Sequence, residues 1–223
     1  YPFIITPFNK GIKKVSGFSK TNLYKNIMNE LDSSWRMQLN STRISDYKPF
    51  SSKNKFYTDY KNPVYADNSV VIAKKSGIDD IARFVLINKK ANDKLIFTPG
   101  VMFDDNFSFS NGRICWSEKR YDERWENRSY AEIKIYDIEK KQQITLTRKS
   151  RYFAPSFSNK GDKVVAVHVS PENNYSLVIL DSKTGELLNE YISPSNDFFI
   201  TPVWNKNDGK ITTILLNENG KSI

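Results

Sequence analysis

The first strong pattern of apolar and polar positions along the chain is helical. An apolar residue recurs at every fourth position, in the order Leu23, Ile27, Leu31, Trp35 and Leu39. Residues four apart lie on one face of an α-helix, so the pattern predicts an amphipathic helix over residues 21–39. Thr21 or Asn22 is placed to cap its first turn. We expect the apolar face to be mostly buried, because such a stripe normally packs against other structure.

From residue 60 onward the pattern changes to short β-branched and aromatic runs separated by turn residues. Residues 152–179 show it most clearly. A short strand, a turn at residues 159–162, a valine-rich run at residues 163–169 and a further strand follow one another there. This order predicts a meander of antiparallel strands.

The same pattern recurs three more times along the chain. Its aromatic anchors are Tyr65, Phe109, Phe157 and Trp204, at steps of 44, 48 and 47 residues. A repeat of that length is typical of one four-stranded blade of a β-propeller. The sequence therefore predicts a mainly β fold. We interpret it as a partial β-propeller of about three complete four-stranded blades and part of a fourth, preceded by a short helical segment.

The pattern divides the chain into two regions. Residues 1–55 form a helical segment and linker, which would suit the end of a preceding domain, and residues 56–223 form the blades. The fourth blade has only about two predicted strands, whereas closed propellers have at least four complete blades. We therefore expect the propeller to be truncated at its C-terminal end, with residues 210–216 as an unpaired edge strand.

The repeated unit also carries a recurring set of residues. Residues 155–184 and 202–211 combine a proline, an aromatic residue, an Asn- or Asp-containing turn with glycine, and a following strand. The unit resembles the TolB-type propeller repeat over roughly residues 60–223, although the first two copies have Asn-Ser and Asn-Gly in place of the Asp-Gly turn. The resemblance implies a bacterial extracytoplasmic protein, in the periplasm or on the cell surface. TolB-like propellers serve as binding platforms, enzyme lids and, in a few cases, enzymes.

A second resemblance concerns the N-terminal region. Residues 11–24, GIKKVSGFSKTNLY, are similar to the closing helix of gluzincin-type metallopeptidase domains, some of which precede TolB-like propellers in bacterial secreted proteins. The HExxH helix that holds the metal in such a peptidase is absent from this sequence, and its single histidine, His168, cannot hold the metal alone. The resemblance implies that any peptidase activity would belong to sequence outside this chain.

The amino-acid composition limits the partners and reactions that the chain can support. The 34 Lys and Arg exceed the 25 Asp and Glu, giving a net charge of +9, but they are spread along the whole chain among acids and Asn. This distribution is typical of a solvated surface, so we expect no specific nucleic-acid partner. No apolar run reaches the ~20 residues that cross a bilayer. We interpret Cys115 and His168, each in a predicted strand, as structural residues, and we expect no catalytic residue, metal or cofactor.

Candidate binding residues lie in the loops expected at one end of the blades. The loop from the second to the third strand of a blade and the segment leading to the next blade emerge at the same end. In the second blade that loop is long and rich in Arg, Tyr and Trp, which dominate binding energetics, and Arg side chains also clamp carboxylates. The candidates are Arg120, Asp122, Arg124, Trp125, Glu126, Arg128, Arg151, Tyr152, Phe198 and Phe199.

A purely structural role for this loop is the alternative. Under this alternative, ion pairs join the two arginines of the loop to its two acids, and Trp125 packs over the blade edge. The pairing residues are Arg124, Arg128, Asp122 and Glu126, and all five side chains then serve only to order the loop. Two acidic pairs, at residues 79–80 and 104–105, fall on the same predicted face and would offer oxygens to a cation, although paired acids in turns are usually solvated.

These observations leave three functional hypotheses. The leading one is a non-catalytic propeller scaffold of a larger secreted or envelope protein that binds a protein or glycan partner through the loop face. The second is a propeller that gates or supports an attached metallopeptidase or hydrolase domain. The third is a polyanion-binding module driven by the net charge. The remaining blades of the same polypeptide are a further candidate partner for the exposed blade faces.

Overall fold

The computed structural model describes residues 7–48, 50, 54–67, 69–78, 81–88 and 91–223, and the side chains of all of these but 7, 91 and 92. The chain divides into two compact units, Tyr1–Pro49 and Phe50–Ile223. The first contains two helices, of which the hydrophobic pattern predicts one, and the second contains the strands.

The N-terminal unit contains helix α1, Pro7–Ser16, and helix α2, Lys20–Ser41. The predicted helix over residues 21–39 is confirmed and is slightly longer. Its cap is Ser19, whose hydroxyl accepts a hydrogen bond from the backbone N–H of Asn22 at 3.3 Å. The prediction of Thr21 or Asn22 as the cap is therefore wrong, because the helix starts earlier than its apolar stripe.

The expected burial of the α2 stripe is also wrong. No residue of α2 is buried, and Ile27, Trp35 and Leu39 are 46%, 49% and 56% exposed. The periodicity determines which face of a helix is apolar, but it does not determine whether anything covers that face.

The second unit consists of four antiparallel sheets whose strands follow chain order. The first sheet contains β1 (Thr58–Tyr65), β2 (Val70–Gly77), β3 (Arg83–Asn88) and β4 (Ala91–Phe97). The second contains β5 (Ser108–Ser110), β6 (Arg113–Tyr121), β7 (Ser129–Asp137) and β8 (Gln142–Thr145). The third contains β9 (Tyr152–Phe157), β10 (Lys163–Val169), β11 (Tyr175–Asp181) and β12 (Leu187–Ile192). The fourth contains β13 (Phe198–Trp204), β14 (Ile211–Asn217) and β15 (Gly220–Ser222). This is the four-blade arrangement of a β-propeller.

The fourth blade has one strand more than predicted. β15 pairs with the end of β14, with Leu215 opposite Ser222 and Asn217 opposite Gly220. The prediction of an unpaired edge over residues 210–216 is therefore wrong at Leu215 and Leu216, because a tight turn at residues 218–219 folds the chain back on this end of β14. Among the described residues, β15 pairs with none of residues 210–214. The short, polar β15 has no β-branched or aromatic residue to reveal it as a strand.

The four aromatic anchors occupy equivalent places, as predicted. Each lies near the end of the first strand of its sheet and faces a residue at the start of the second strand. The pairs are Tyr65 with Val71, Phe109 with Ile114, Phe157 with Val164, and Trp204 with Ile211. Their surroundings differ, since Phe157 is buried whereas Tyr65 is 69% exposed.

Three of the first strands share a backbone bulge. Asn62, Ala154 and Thr201 have φ angles of 50°, 47° and 43°, and each precedes a proline. The strand register shifts at the same places. A proline disfavours the right-handed helical region for the residue before it, and positive φ is uncommon for residues other than glycine. The repeated bulge is thus a structural signature of the repeated sequence unit.

Packing between neighbouring sheets forms the core. The first and second sheets bury Ile72, Phe84, Phe107, Ile114, Trp116 and Tyr136. The second and third bury Cys115, Ile133, Ile135, Leu146, Phe157, Val164, Ala166, Val178 and Leu180. The third and fourth bury Val167, Val169, Leu177 and Phe199. Adjacent residues of β6 and β10 point to opposite faces, so these strands contribute to the packing on both sides.

Two tryptophans test this account of the core. Trp116 is fully buried, and its ring lies 5.4 Å from that of Phe84. We expect Trp116→Ala to lower the free energy of unfolding by about 3–5 kcal/mol, because it leaves a large cavity. Trp35→Ala, on the exposed face of α2, should cost less than about 1 kcal/mol. Urea titrations of both variants measure the difference, and equal losses would contradict the assignment of the core to the sheets.

The single cysteine gives a second test. Cys115 is fully buried, as predicted, and burial raises the pKa of its thiol to about 12. Only the thiolate reacts readily with alkylating reagents. We therefore expect native protein to resist iodoacetamide at pH 8 and urea-unfolded protein to be alkylated, as measured by mass spectrometry. Rapid alkylation of the folded chain would show that the second and third sheets separate easily.

Candidate functional site

The candidate site is built on the ribbon formed by β6 and β7. These strands pair without interruption from Arg113 opposite Asp137 to Tyr121 opposite Ser129. The loop between them, residues 122–128, closes through backbone hydrogen bonds from Asp122 N–H to the Arg128 carbonyl and from Arg128 N–H to the Trp125 carbonyl, both 2.9 Å. The loop is thus held at the end of a fully paired ribbon.

Asp122 orders this loop. Its carboxylate accepts hydrogen bonds from the backbone N–H groups of Arg124 at 2.9 Å and Trp125 at 3.2 Å, and from the Tyr130 hydroxyl at 2.8 Å. The Arg124 and Tyr130 hydrogen bonds lower the pKa of Asp122 below its ordinary value. The carboxylate is thus occupied by backbone amides and a phenol rather than by guanidinium groups.

The structural alternative for the loop is not supported. Within the described residues, neither Arg124 nor Arg128 forms an ion pair with Asp122 or Glu126. Trp125 is 65% exposed and does not cover the blade edge. The hydrogen bonds that order the loop come from backbone groups, the Asp122 carboxylate and the Tyr130 hydroxyl, so the order of the loop does not depend on ion pairs of its guanidinium groups.

Five cationic side chains surround one open cavity of about 690 Å³ beside the loop, namely Arg120, Arg124, Arg128, Arg148 and Lys149. We call these residues the cationic cluster. None of the five forms an ion pair within the part of the chain that the structure describes. Tyr121, Asp122, Glu123, Trp125, Tyr130 and Glu132 complete the lining. Cations therefore outnumber carboxylates around the cavity.

The buried carboxylate of the lining is already neutralised. Glu132 lies 2.8 Å from the Lys134 ammonium and accepts the backbone N–H of Lys149 at 2.9 Å. Burial alone would raise the pKa of Glu132, but these hydrogen bonds keep it below its ordinary value. Since Asp122 and Glu132 are both satisfied elsewhere, they compete little with an incoming anion for the cationic cluster.

The structure brings five of the ten predicted residues together around this cavity, namely Arg120, Asp122, Arg124, Trp125 and Arg128. Glu126 does not line the cavity, whereas Arg151 lines an adjoining cavity of about 510 Å³ with Trp125 and Arg128. Arg151 is partly engaged, because its Nε donates to the Val169 carbonyl at 2.8 Å.

The other predicted residues lie away from this loop. The Tyr152 ring packs edge-on against His168 at 5.2 Å, and burial raises its pKa. Phe198 and Phe199 line a separate, mostly apolar cavity of about 290 Å³. They therefore belong to a different part of the loop face.

Two members of the cationic cluster were not among the predicted binding residues, although residues 148–152 were expected to lie beside the loop. Arg148 and Lys149 lie in the segment that joins the second and third sheets, residues 146–151. Lys149 has a positive φ of 49°, and its neighbour Ser150 is bonded to Ala131 of β7 through both backbone and hydroxyl. The place of residues 146–151 between two predicted blades could be read from the sequence. The hydrogen bonds that hold this segment against β7 could not, because they depend on tertiary structure.

The acidic pair that the structure describes, residues 104–105, forms no metal site. Asp105 binds the ammonium groups of Lys61 and Lys74, which lower its pKa, and Asp104 accepts the backbone N–H of Asn106 at 3.0 Å. Residues 79 and 80 lie outside the described residues. In the described part of the chain no group of three or more His, Cys, Asp or Glu side chains is arranged to hold a metal ion.

Comparisons with solved structures identify the fold. A TolB from Agrobacterium tumefaciens matches with a TM-score of 0.52 and 12% identity, over 66% of this chain and 50% of that one. TolB from Acinetobacter baumannii matches with a TM-score of 0.52 and 16% identity, over 69% of this chain and 39% of that one. At such identities the likeness shows the fold alone. The second unit has a TolB-like β-propeller fold.

The other comparisons add little. The β-propeller domain of the Trilobed protease from Pyrococcus furiosus matches over 75% of this chain and 57% of that domain, with 14% identity, but its TM-score of 0.43 is too low to support an inference. No family model and no curated protein matches the chain. The chain spans half or less of the length of the two TolB structures. Among the described residues, no helix is long and apolar enough to span a membrane.

The role assigned to Asp122 predicts that the loop becomes less ordered when its carboxylate is protonated or removed. Because the pKa of Asp122 is lowered in the folded chain, its ordering effect is complete above the ordinary Asp pKa and is lost as pH falls through the lowered value. We expect the amides of residues 123–129 to exchange faster in Asp122→Ala than in the native chain at pH 7. Hydrogen exchange measured by NMR tests this. Unchanged protection in the variant would show that the ribbon alone orders the loop.

Proposed function

We propose that the propeller is a non-catalytic binding module, and that its cationic cluster recognises anionic groups on a protein or glycan partner. The observation that supports this proposal is the absence of ion pairs at these five side chains in the described structure, although carboxylates lie beside them. Guanidinium groups bind carboxylates through two parallel hydrogen bonds, which gives such a site both affinity and orientation.

The surroundings of the cluster suit a binding surface. The guanidinium of Arg128 lies 5.3 Å from the centre of the Tyr130 ring, a cation–π arrangement that limits its motion. Trp125 and Tyr121 lie exposed beside it. Arg, Trp and Tyr are the residue types that contribute most to protein interfaces. A partner would therefore gain both charge pairing and apolar contact here.

The setting of this module is also part of the proposal. We infer that it belongs to a larger bacterial extracytoplasmic protein, on the basis of the TolB-like fold and the resemblance of its repeats. The alternative, an accessory propeller for an attached metallopeptidase or hydrolase, depends on the similarity of residues 11–24 to the end of a gluzincin domain. In the structure these residues span the end of α1, Gly17 with φ +76°, and the start of α2.

Removing charges from the loop tests the proposed site. We expect the variant Arg120→Ala/Arg124→Ala/Arg128→Ala to bind a Glu-rich peptide or an alginate oligosaccharide at least about tenfold more weakly than the native chain, because it loses the groups that pair with carboxylates. Isothermal titration at fixed salt provides the measurement. Comparing the two probes distinguishes a peptide partner from an acidic glycan.

A control variant separates the site from net charge. Lys160→Ala/Lys183→Ala/Lys206→Ala removes the same charge from exposed positions in the turns at the opposite end of the blades. It should bind both probes almost as tightly as the native chain. Equal losses in the two variants, with binding that falls uniformly as salt rises, would instead support the polyanion-binding alternative.

A further inference from the structure

The two N-terminal helices leave apolar side chains exposed along their length. In α1, Phe8 and Val15 are 69% and 90% exposed, and Ile12 lies on the same face, half-buried. In α2, the exposed apolar side chains include Tyr24, Ile27, Met28, Leu31, Trp35 and Leu39. Folded proteins rarely leave such a face in water, so it normally marks contact with another molecule or with a membrane.

The faces of α1 differ sharply in chemistry. Successive residues of an α-helix are rotated by about 100°, so Phe8, Ile12 and Val15 fall within about 60° of one another. The opposite side of the helix carries its three charged residues, Lys10, Lys13 and Lys14. The helix is therefore apolar on one side and uniformly cationic on the other.

No acidic residue balances these lysines in this part of the chain. Residues 7–29 contain five lysines, no arginine and no Asp or Glu, and Glu30 is the first acid after them. None of the five lysines forms an ion pair within the described residues. In the second half of α2, Asp32 is paired with Arg36 at 2.9 Å. The excess positive charge of this unit is thus concentrated in α1 and the start of α2.

The apolar face of α2 carries residues suited to a boundary between water and hydrocarbon. Trp35 is 49% exposed and Tyr24 is exposed beside the apolar stripe. Both have a large apolar ring with one polar group, and such residues are enriched where a membrane meets water. The opposite face of α2 is polar and includes Asn22, Lys25, Asn29, Arg36 and Asn40.

The type of cationic residue favours a lipid surface over a protein partner. Protein interfaces are enriched in arginine and depleted in lysine, whereas residues 7–29 contain only lysine. A lysine can lay its methylene chain along an apolar surface while its ammonium stays among charged headgroups. Helices with lysines on one side and Phe, Leu and Trp on the other are typical of segments that lie in the membrane interface, and anionic lipids strengthen their binding.

We infer that α1 and α2 bind the surface of an anionic lipid bilayer. The apolar faces lie at the boundary between headgroups and acyl chains, parallel to the membrane, and the lysines of α1 attract the lipid phosphates. The attachment is peripheral and reversible, and it would hold the propeller close to a membrane. It is independent of the anion recognition proposed for the cationic cluster, which belongs to the second unit.

Co-sedimentation of the full chain with lipid vesicles tests the role of charge. We expect binding to vesicles of equal parts phosphatidylglycerol and phosphatidylcholine to be at least about tenfold tighter than binding to phosphatidylcholine alone. Lys10→Gln/Lys13→Gln/Lys14→Gln should lower affinity for the anionic vesicles at least about tenfold. The matched control Lys160→Gln/Lys183→Gln/Lys206→Gln removes the same charge from exposed turns of the blades and should bind like the native chain.

The apolar contact is tested separately. Phe8→Ala/Val15→Ala should weaken vesicle binding about tenfold, because it removes apolar area that enters the membrane, and should leave the thermal midpoint unchanged because both side chains are exposed. Lipids with brominated acyl chains should quench the fluorescence of Trp35. The variant Trp35→Phe identifies its share of the signal among the four tryptophans.

Several outcomes would overturn the inference. They are equal binding to neutral and anionic vesicles, unchanged binding of the Lys10→Gln/Lys13→Gln/Lys14→Gln variant, and no quenching of Trp35 in the bound state. A dimer that forms through these helices and has no affinity for vesicles would instead assign the apolar faces to a second copy of the chain. Since Arg120→Ala/Arg124→Ala/Arg128→Ala should retain vesicle binding, failure of this surface is distinguishable from failure of the cationic cluster.

Discussion

The packing of one sheet on the next is the constraint on which the rest of the structure depends. The strand β10 shows this most clearly. Val164 and Ala166 pack against the second sheet, Val167 packs against the fourth, and all three are almost completely buried. A strand buried on both faces can have only one register, because a slip by one residue would exchange its two sets of contacts. The loops at the ends of such strands are consequently fixed in position, and the candidate functional site is built on one of them.

Sequence patterns predicted the sheets well because each blade carries its own local signals. A turn with Asn or Asp and Gly, an aromatic anchor such as Phe157 and a β-branched second strand recur together, and the strands they predict are present. The predictions that failed have a common cause. The cap of α2 at Ser19, the exposure of Trp35 and the short strand β15 depend on contacts or turns that leave little trace in hydrophobic periodicity.

The candidate functional site was predictable only in part. The composition of residues 120–128 indicated a binding loop, but it did not show which groups would pair. Asp122 was as plausible a partner for Arg124 as the backbone N–H groups that it binds in the structure. The apolar face of α2 shows the same limit. Its residues could be read from the sequence, but the exposure on which the inferred membrane contact depends could not.

The cationic cluster lies where the second sheet meets the third. The segment that joins these sheets is fixed: Ala131 N–H donates to the Ser150 carbonyl at 2.9 Å, and Arg151 donates to the Val169 carbonyl. The next residue, Tyr152, is in register with His168. These bonds hold the wall between the second and third sheets, including the Lys149 and Ser150 segment, against both sheets at once. The cationic cluster therefore depends on the same contact between sheets that forms the core.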